Sequence, residues 1–236
     1  MEAYNPWHGC HKLSEGCQHC YVYRMDGRHG KDASHITKTS AFNLPIKRDR
    51  YGQYSIPDHS TLYTCFTSDF LVEEADKWRA DVWAMMKARP LVTFIFFTKR
   101  IDRLAACLPD DWGEGYPNVT IGCTVENQQR ANARLPIFLG LPIATRWIIA
   151  EPLLGPLDVS AYLDQRIALV VVGGESGPEA RPCDYDWVLS LKAQSEKAHV
   201  PLHYHQTGAK LIKDGKLYTI ARKFQASQAK KANLDT

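Results

Sequence analysis

The chain has 236 residues, 44% of them hydrophobic and 23% charged, with a formal net charge of +3. That is enough apolar material for one substantial core, and one domain of α/β-barrel size is expected rather than two. No apolar run approaches the ~20 residues that span a bilayer, and the opening Met-Glu-Ala-Tyr-Asn-Pro lacks the charge and the apolar stretch of a targeting signal, so a cytoplasmic protein with no membrane association is expected.

The first informative segment is the cysteine loop, Trp7-His-Gly-Cys10 followed by Ser14-Glu-Gly-Cys17-Gln-His-Cys20-Tyr21. The chain holds 7 cysteines, an odd number, so a disulfide framework is not expected. Three thiolates from Cys10, Cys17 and Cys20 suit three corners of a four-iron cluster, leaving the fourth iron open to a ligand. The same spacing also serves a structural zinc site, with His8, His11 or His19 as the fourth ligand, or a redox dithiol.

A short helix is expected over 20–26. Residues 27–60, rich in Gly, Lys, Asp, His and Pro, show no period and read as a long irregular insertion. A regular alternation then begins. Strands are expected at 61–67, 91–98, 119–125, 147–150, 168–172 and 202–205. Helices are expected at 72–88 (Trp78, Val82 and Met85 on one face), from 101 to about 108, at 127–139 and at 185–198. Nearly unbroken Val, Ile and Phe in strands that alternate with helices point to a parallel sheet buried on both faces. The fold class expected is α/β, a partial (β/α)6 TIM-like barrel over 1–208 with an N-terminal cysteine loop. An open doubly wound sheet is the alternative.

Each strand closes on polar residues: Ser68 and Asp69, Lys99 and Arg100, Glu126 and Asn127, Glu151, then Glu175 and Ser176 after Gly173 and Gly174. In parallel α/β folds ligands bind at that edge, so these residues are the candidate binding set. His203 and His205, two apart on one strand, face the same way and offer an alternative metal pair for a hydrolase. The run from Gly173 to Gly177 lacks the Lys-Ser/Thr of a phosphate-binding loop. Cys65, Cys107, Cys123 and Cys183 fall on or near apolar elements and read as packed thiols. From 209 to the end there are seven basic residues against Asp214 and Asp235. The expectation is a basic C-terminal tail, either simply solvated or attracted to nucleic acid, and a zinc-stapled nucleic-acid module without catalysis is the competing function.

Together with Thr98-Lys-Arg100, Val125-Glu-Asn127, Glu151-Pro-Leu-Leu-Gly155, Gly173-Gly-Glu-Ser-Gly177 and Arg181-Pro, the cysteine loop makes the chain resemble the radical S-adenosylmethionine (SAM) superfamily. More narrowly it is similar to a phage-associated family of radical-SAM-like proteins with no assigned substrate. Six residues separate Cys10 from Cys17, where the superfamily usually has three, and Thr67-Ser68-Asp69 stands where the superfamily has Gly-Gly-Glu. The resemblance implies an enzyme in which Cys10, Cys17 and Cys20 hold a [4Fe–4S] cluster. Its open iron binds SAM, and an electron from a donor such as flavodoxin or ferredoxin releases a 5′-deoxyadenosyl radical. It implies Ser68 and Asp69 for the methionine amino group and Lys99 or Arg100 for its carboxylate. Glu126 and Asn127 would meet the ribose, His19, Gly173 and Gly174 the adenine, and Glu151 and Glu175 complete the cofactor set.

Overall fold

In the computed structural model, which describes residues 2–236, the chain forms two compact units. Of the described residues, the first comprises 2–12, 22–122 and 141–145; the second comprises 13–21, 123–140 and 146–236. In chain order the elements are β1 (Glu2–Tyr4), β2 (Trp7–His8), α1 (Tyr21–Arg28), β3 (Thr37–Lys38), β4 (Thr61–Thr64), α2 (Asp76–Ala88), β5 (Thr93–Thr98), α3 (Leu104–Cys107), β6 (Val119–Thr124) and α4 (Gln128–Gly140). There follow β7 (Thr145–Ala150), β8 (Ile167–Gly173), β9 (Cys183–Asp184), α5 (Tyr185–Lys197), β10 (Leu202–Gln206), β11 (Lys210–Lys213), β12 (Lys216–Thr219) and α6 (Arg222–Lys231).

The expected α/β alternation is present. Seven strands are ordered β1-β4-β5-β6-β7-β8-β10 in one sheet, and β1/β4, β4/β5, β7/β8 and β8/β10 are all parallel pairs. The apolar runs explain this arrangement: every residue of β6 is buried, as strands covered on both faces require. The strand expected over 61–67 stops at Thr64, because Cys65 takes the left-handed conformation (φ 62°) and turns the chain out of the sheet.

In the first unit, Phe70 stacks on Phe96 at 4.4 Å, and Trp83 packs on Trp112 at 4.9 Å to form an aromatic core. Past the last residues of α1, the insertion 27–60 contains β3, a 3-10 turn at Leu44–Ile46 and an isolated bridge, Arg48 to Tyr54. Arg89, buried at the end of α2, fastens it by donating to the carbonyls of Pro45 and Ile56 and to Asp58.

In the second unit, residues 209–236 are folded. β11 pairs antiparallel with β12 and parallel with β9, making a small separate sheet, and α6 packs against β10. The β11–β12 turn is Asp214-Gly215, with φ of 51° and 70°. Two glycines join this subassembly to β8. A Cβ on Gly174 would lie 2.3 Å from the Thr207 carbonyl oxygen, and Gly208 adopts φ +80° with its Cβ position 2.9 Å from the Glu175 oxygen.

Candidate metal centre

The chain passes from the first unit to the second between Lys12 and Leu13, so the cysteine loop has two anchorages. In the first unit, Gly9 N–H donates to the Thr67 carbonyl at 3.0 Å and Cys10 N–H to the Ala33 carbonyl at 2.8 Å. Gly9 has φ +97°, and a Cβ there would meet the His35 carbonyl oxygen at 2.5 Å, so only glycine fits this bend. The Ser68 hydroxyl donates to the Gly9 carbonyl, and the Tyr23 hydroxyl donates to that of Cys10 at 2.5 Å. Arg100 reaches the same stretch: it donates to the His11 carbonyl at 2.7 Å and to the Cys10 sulfur at 3.6 Å, and it pairs with Asp69 at 3.2 Å. Burial works to lower the Arg100 pKa, but Asp69 and the Cys10 sulfur outweigh it and hold the group above its ordinary value. Asp69 is buried and occupied, accepting from Thr98, from the Lys99 and Leu71 N–H groups, and from Arg100.

In the second unit, the tip of β6 holds the rest of the loop. Glu126 is fully buried, at 0% exposure. It accepts from the Ser14 hydroxyl and from Gly16 N–H at 3.3 Å, and Arg134 on α4 pairs with it at 2.7 Å. Asn127 donates to Glu15 at 3.4 Å, and Arg130 forks onto the same carboxylate with two contacts of 2.9 Å. The hydrogen bond from Arg130 pulls the Glu15 carboxyl down to about 2. At the tip of β8, Glu175 is buried and bound by Arg181, whose guanidinium also donates to the Glu15 carbonyl at 2.9 Å and the Gln18 side chain at 3.4 Å. Residues 15–17 form a 3-10 turn, and Cys20 N–H bonds back to the Cys17 carbonyl at 3.3 Å.

The remaining candidates divide into two groups. His19 approaches Glu179 at 3.4 Å. Glu151 receives His205 Nδ1 at 2.8 Å and Gln206 at 2.5 Å, and Arg222 in turn donates to Gln206 at 2.7 Å. The hydrogen bond to Glu151 raises the His205 pKa above its ordinary value. Tyr21 has 45% of its surface exposed. Burial pushes its hydroxyl up to about 12, Cys20 and Glu151 adding to the shift and Arg222 opposing it. The missing side chain of Gly173 makes room for Glu151, whose carboxyl carbon would lie 2.6 Å from a Cβ there. His203 and His205 have ring centroids 6.0 Å apart and are tied to different carboxylates, Asp235 and Glu151.

Sequence reasoning placed the strand-tip carboxylates and Arg100, which pairs with Asp69, but gave no role to Arg134, which engages Glu126. Arg134 lies eight residues beyond Glu126 in the sequence, at the seventh position of α4, just under two turns from the start of that helix.

None of the seven cysteines is in a disulfide, and Cys10, Cys17 and Cys20 are each partly exposed. Among the described residues, no three His, Cys, Asp or Glu side chains form a group that holds one metal ion. A four-iron cube requires a different arrangement. Each thiolate binds its own iron, so the sulfurs surround the cube rather than converge on a point. The donor chemistry fits such a group: the Arg100 guanidinium contacts the Cys10 sulfur, and the Cys17 sulfur acts electrostatically on Arg130.

The model of a protein family described as "Protein of unknown function (DUF5131)" matches residues 1–234, and the chain belongs to that family. No curated protein and no solved structure matches it.

Proposed function

We propose that this member of the DUF5131 family is a radical SAM enzyme, built as a partial (β/α)6 TIM-like barrel, in which Cys10, Cys17 and Cys20 hold a [4Fe–4S] cluster. One observation carries the reading. The polar tips of the parallel strands are bonded to the cysteine loop: Ser68 and the Asp69–Arg100 pair to residues 9–11 in the first unit, Glu126, Asn127 and the Glu175–Arg181 pair to residues 14–18 in the second. A loop fixed in this way presents thiols that are neither bonded to one another nor packed away.

When bound, such a cluster supplies the electron that cleaves SAM to a 5′-deoxyadenosyl radical. The chain's own groups do the rest. Arg100 favours the Cys10 thiolate by direct contact, because a fixed guanidinium lowers the energy of a neighbouring anion. Ser68, Asp69, Glu126, Asn127 and Glu175 set the path of the loop. Lys99, Glu151, His19 and the backbone at Gly173 and Gly174 remain the set for SAM itself. The substrate class favoured by the basic C-terminal segment is a nucleotide or nucleic acid, with flavodoxin or ferredoxin as electron donor.

Anaerobic purification and reconstitution test this directly. The expected result is a brown protein with about four irons per chain and a reduced-state EPR signal that changes on adding SAM. Replacing Cys10, Cys17 or Cys20 by Ala abolishes iron retention. Stoichiometric zinc without iron, or iron that survives all three substitutions, overturns the proposal.

A further inference from the structure

Within the second unit a cavity of about 700 Å³ opens between β10, the β11–β12 hairpin and α6. Its volume is in the range of small-molecule sites. Tyr185, Tyr204, Lys213, Tyr218, Phe224 and Lys231 line it, and no lining residue carries a carboxylate. Tyr204 is 2% exposed, yet its hydroxyl has no hydrogen-bond partner. A buried hydroxyl in that condition costs free energy and is rare in folded proteins. The rings of Tyr218 and Phe224 are 45% and 48% exposed, large apolar faces left bare beside the opening. The Lys213 ammonium is held 5.0 Å from the centre of the Tyr185 ring.

We propose that this cavity binds a nucleoside monophosphate unit, either as a free nucleotide or as one residue of a single strand. Three features select that class together. Half-exposed aromatic faces stack on a planar base and do so with little sequence preference. The Tyr204 hydroxyl is closed off from solvent, so a heterocycle edge that uses its donor and acceptor displaces the side chains that cover it. Lys213 and Lys231 supply charge for one phosphate, with no carboxylate in the lining to repel it. A lipid or apolar peptide would use the rings but gain nothing from the lysines, and a bare phosphate would use only the lysines. The site does not depend on the cysteine loop or on iron, so it stands or falls separately from the radical SAM reading.

The test is titration calorimetry on the full chain with AMP, UMP, ribose 5-phosphate and a single-stranded decanucleotide. The expected result is saturable binding of the mononucleotides below about 1 mM. Tyr204→Phe weakens it about five- to tenfold, since only the unpartnered hydroxyl is removed. Phe224→Ala weakens it about tenfold through lost stacking. Tyr218→Ala, on an exposed ring whose loss leaves the core intact, acts in the same direction and serves as the control if Phe224→Ala unfolds. A chain with all three loop cysteines replaced binds as the native one does. A decamer at least tenfold tighter than AMP assigns the site to a strand, and equal affinity assigns it to the free nucleotide. The proposal is overturned if no probe saturates or if ribose 5-phosphate binds as tightly as AMP. It is also overturned if Tyr204→Phe and the aromatic substitutions leave affinity within twofold, including where only the lysines matter.

Discussion

Two regions of the second unit treat a buried polar group in opposite ways. At the tip of β6, Glu126 has no exposure, and Ser14, Gly16 and Arg134 all bond to its carboxylate. On β10, Tyr204 is almost as deeply buried and its hydroxyl bonds to nothing. The first arrangement is how a chain braces itself, because every partner supplied makes removal of any one costly. The second leaves free energy unclaimed in the folded state, which is how a chain keeps a place for something else. Depth of burial is therefore a poor guide to role, and the partner count is the better one.

The sharpest way to break the comparison is Glu126→Ala. It leaves the Arg134 guanidinium buried without its counter-charge, and the expected loss is about 3–5 kcal/mol in urea unfolding. Glu126→Gln, which keeps an acceptor for Ser14, is expected to fall between that and the native chain. A cost under about 1 kcal/mol for the alanine variant would remove Glu126 from the bracing role. Next comes Arg181→Ala, which strands the Glu175 carboxylate and releases the Glu15 carbonyl. A loss of about 2 kcal/mol is expected, together with faster proteolysis within residues 13–18.

Tyr204→Phe should move the other way. Deleting an unsatisfied hydroxyl is expected to stabilise the ligand-free protein by about 1 kcal/mol, or roughly 2–4 °C in Tm for a chain of this size. A fall in Tm would show that the hydroxyl already has a partner. The smallest effect belongs to the exposed His205–Glu151 pair. Because the folded pKa of His205 is raised above 6.5, its stabilisation is fully present below that pH and is lost as pH rises through the folded value. In Glu151→Gln the His205 NMR titration should shift toward lower pH, and the stability difference from the native chain should vanish on the alkaline side.

The strands of the main sheet were legible because runs such as Thr-Phe-Ile-Phe-Phe-Thr in β5 announce burial on both faces by composition alone. β1 was not: it is three residues long, only Tyr4 is buried, and no period can be read from that. The C-terminal hairpin did carry a signal. Asp214-Gly215 between Lys-Leu-Ile-Lys and Lys-Leu-Tyr-Thr is a two-residue turn with the φ values such turns demand. Its lysines mask that signal, because they make the segment read as a charged tail. α6 was hidden for a different reason, since it buries Gln225 and Ala229 while leaving Phe224 exposed, the reverse of an amphipathic pattern. At the cysteine loop the tip residues were legible from their place after apolar runs. What engages a carboxylate, though, depends on chain segments more than a hundred positions away, as with Ser14 and Glu126.

The paired glycines at 174 and 208 have a consequence for how this chain tolerates change. They let main chain lie against main chain where residues 209–236 depart from the strand ends, and Ala209 N–H bonds there to the Glu175 carbonyl at 2.9 Å. A seam without side chains reads none of the residues on either side. The seam itself places no demand on side chains in the hairpin and helix beyond it, while either glycine, replaced even by alanine, would wedge it open.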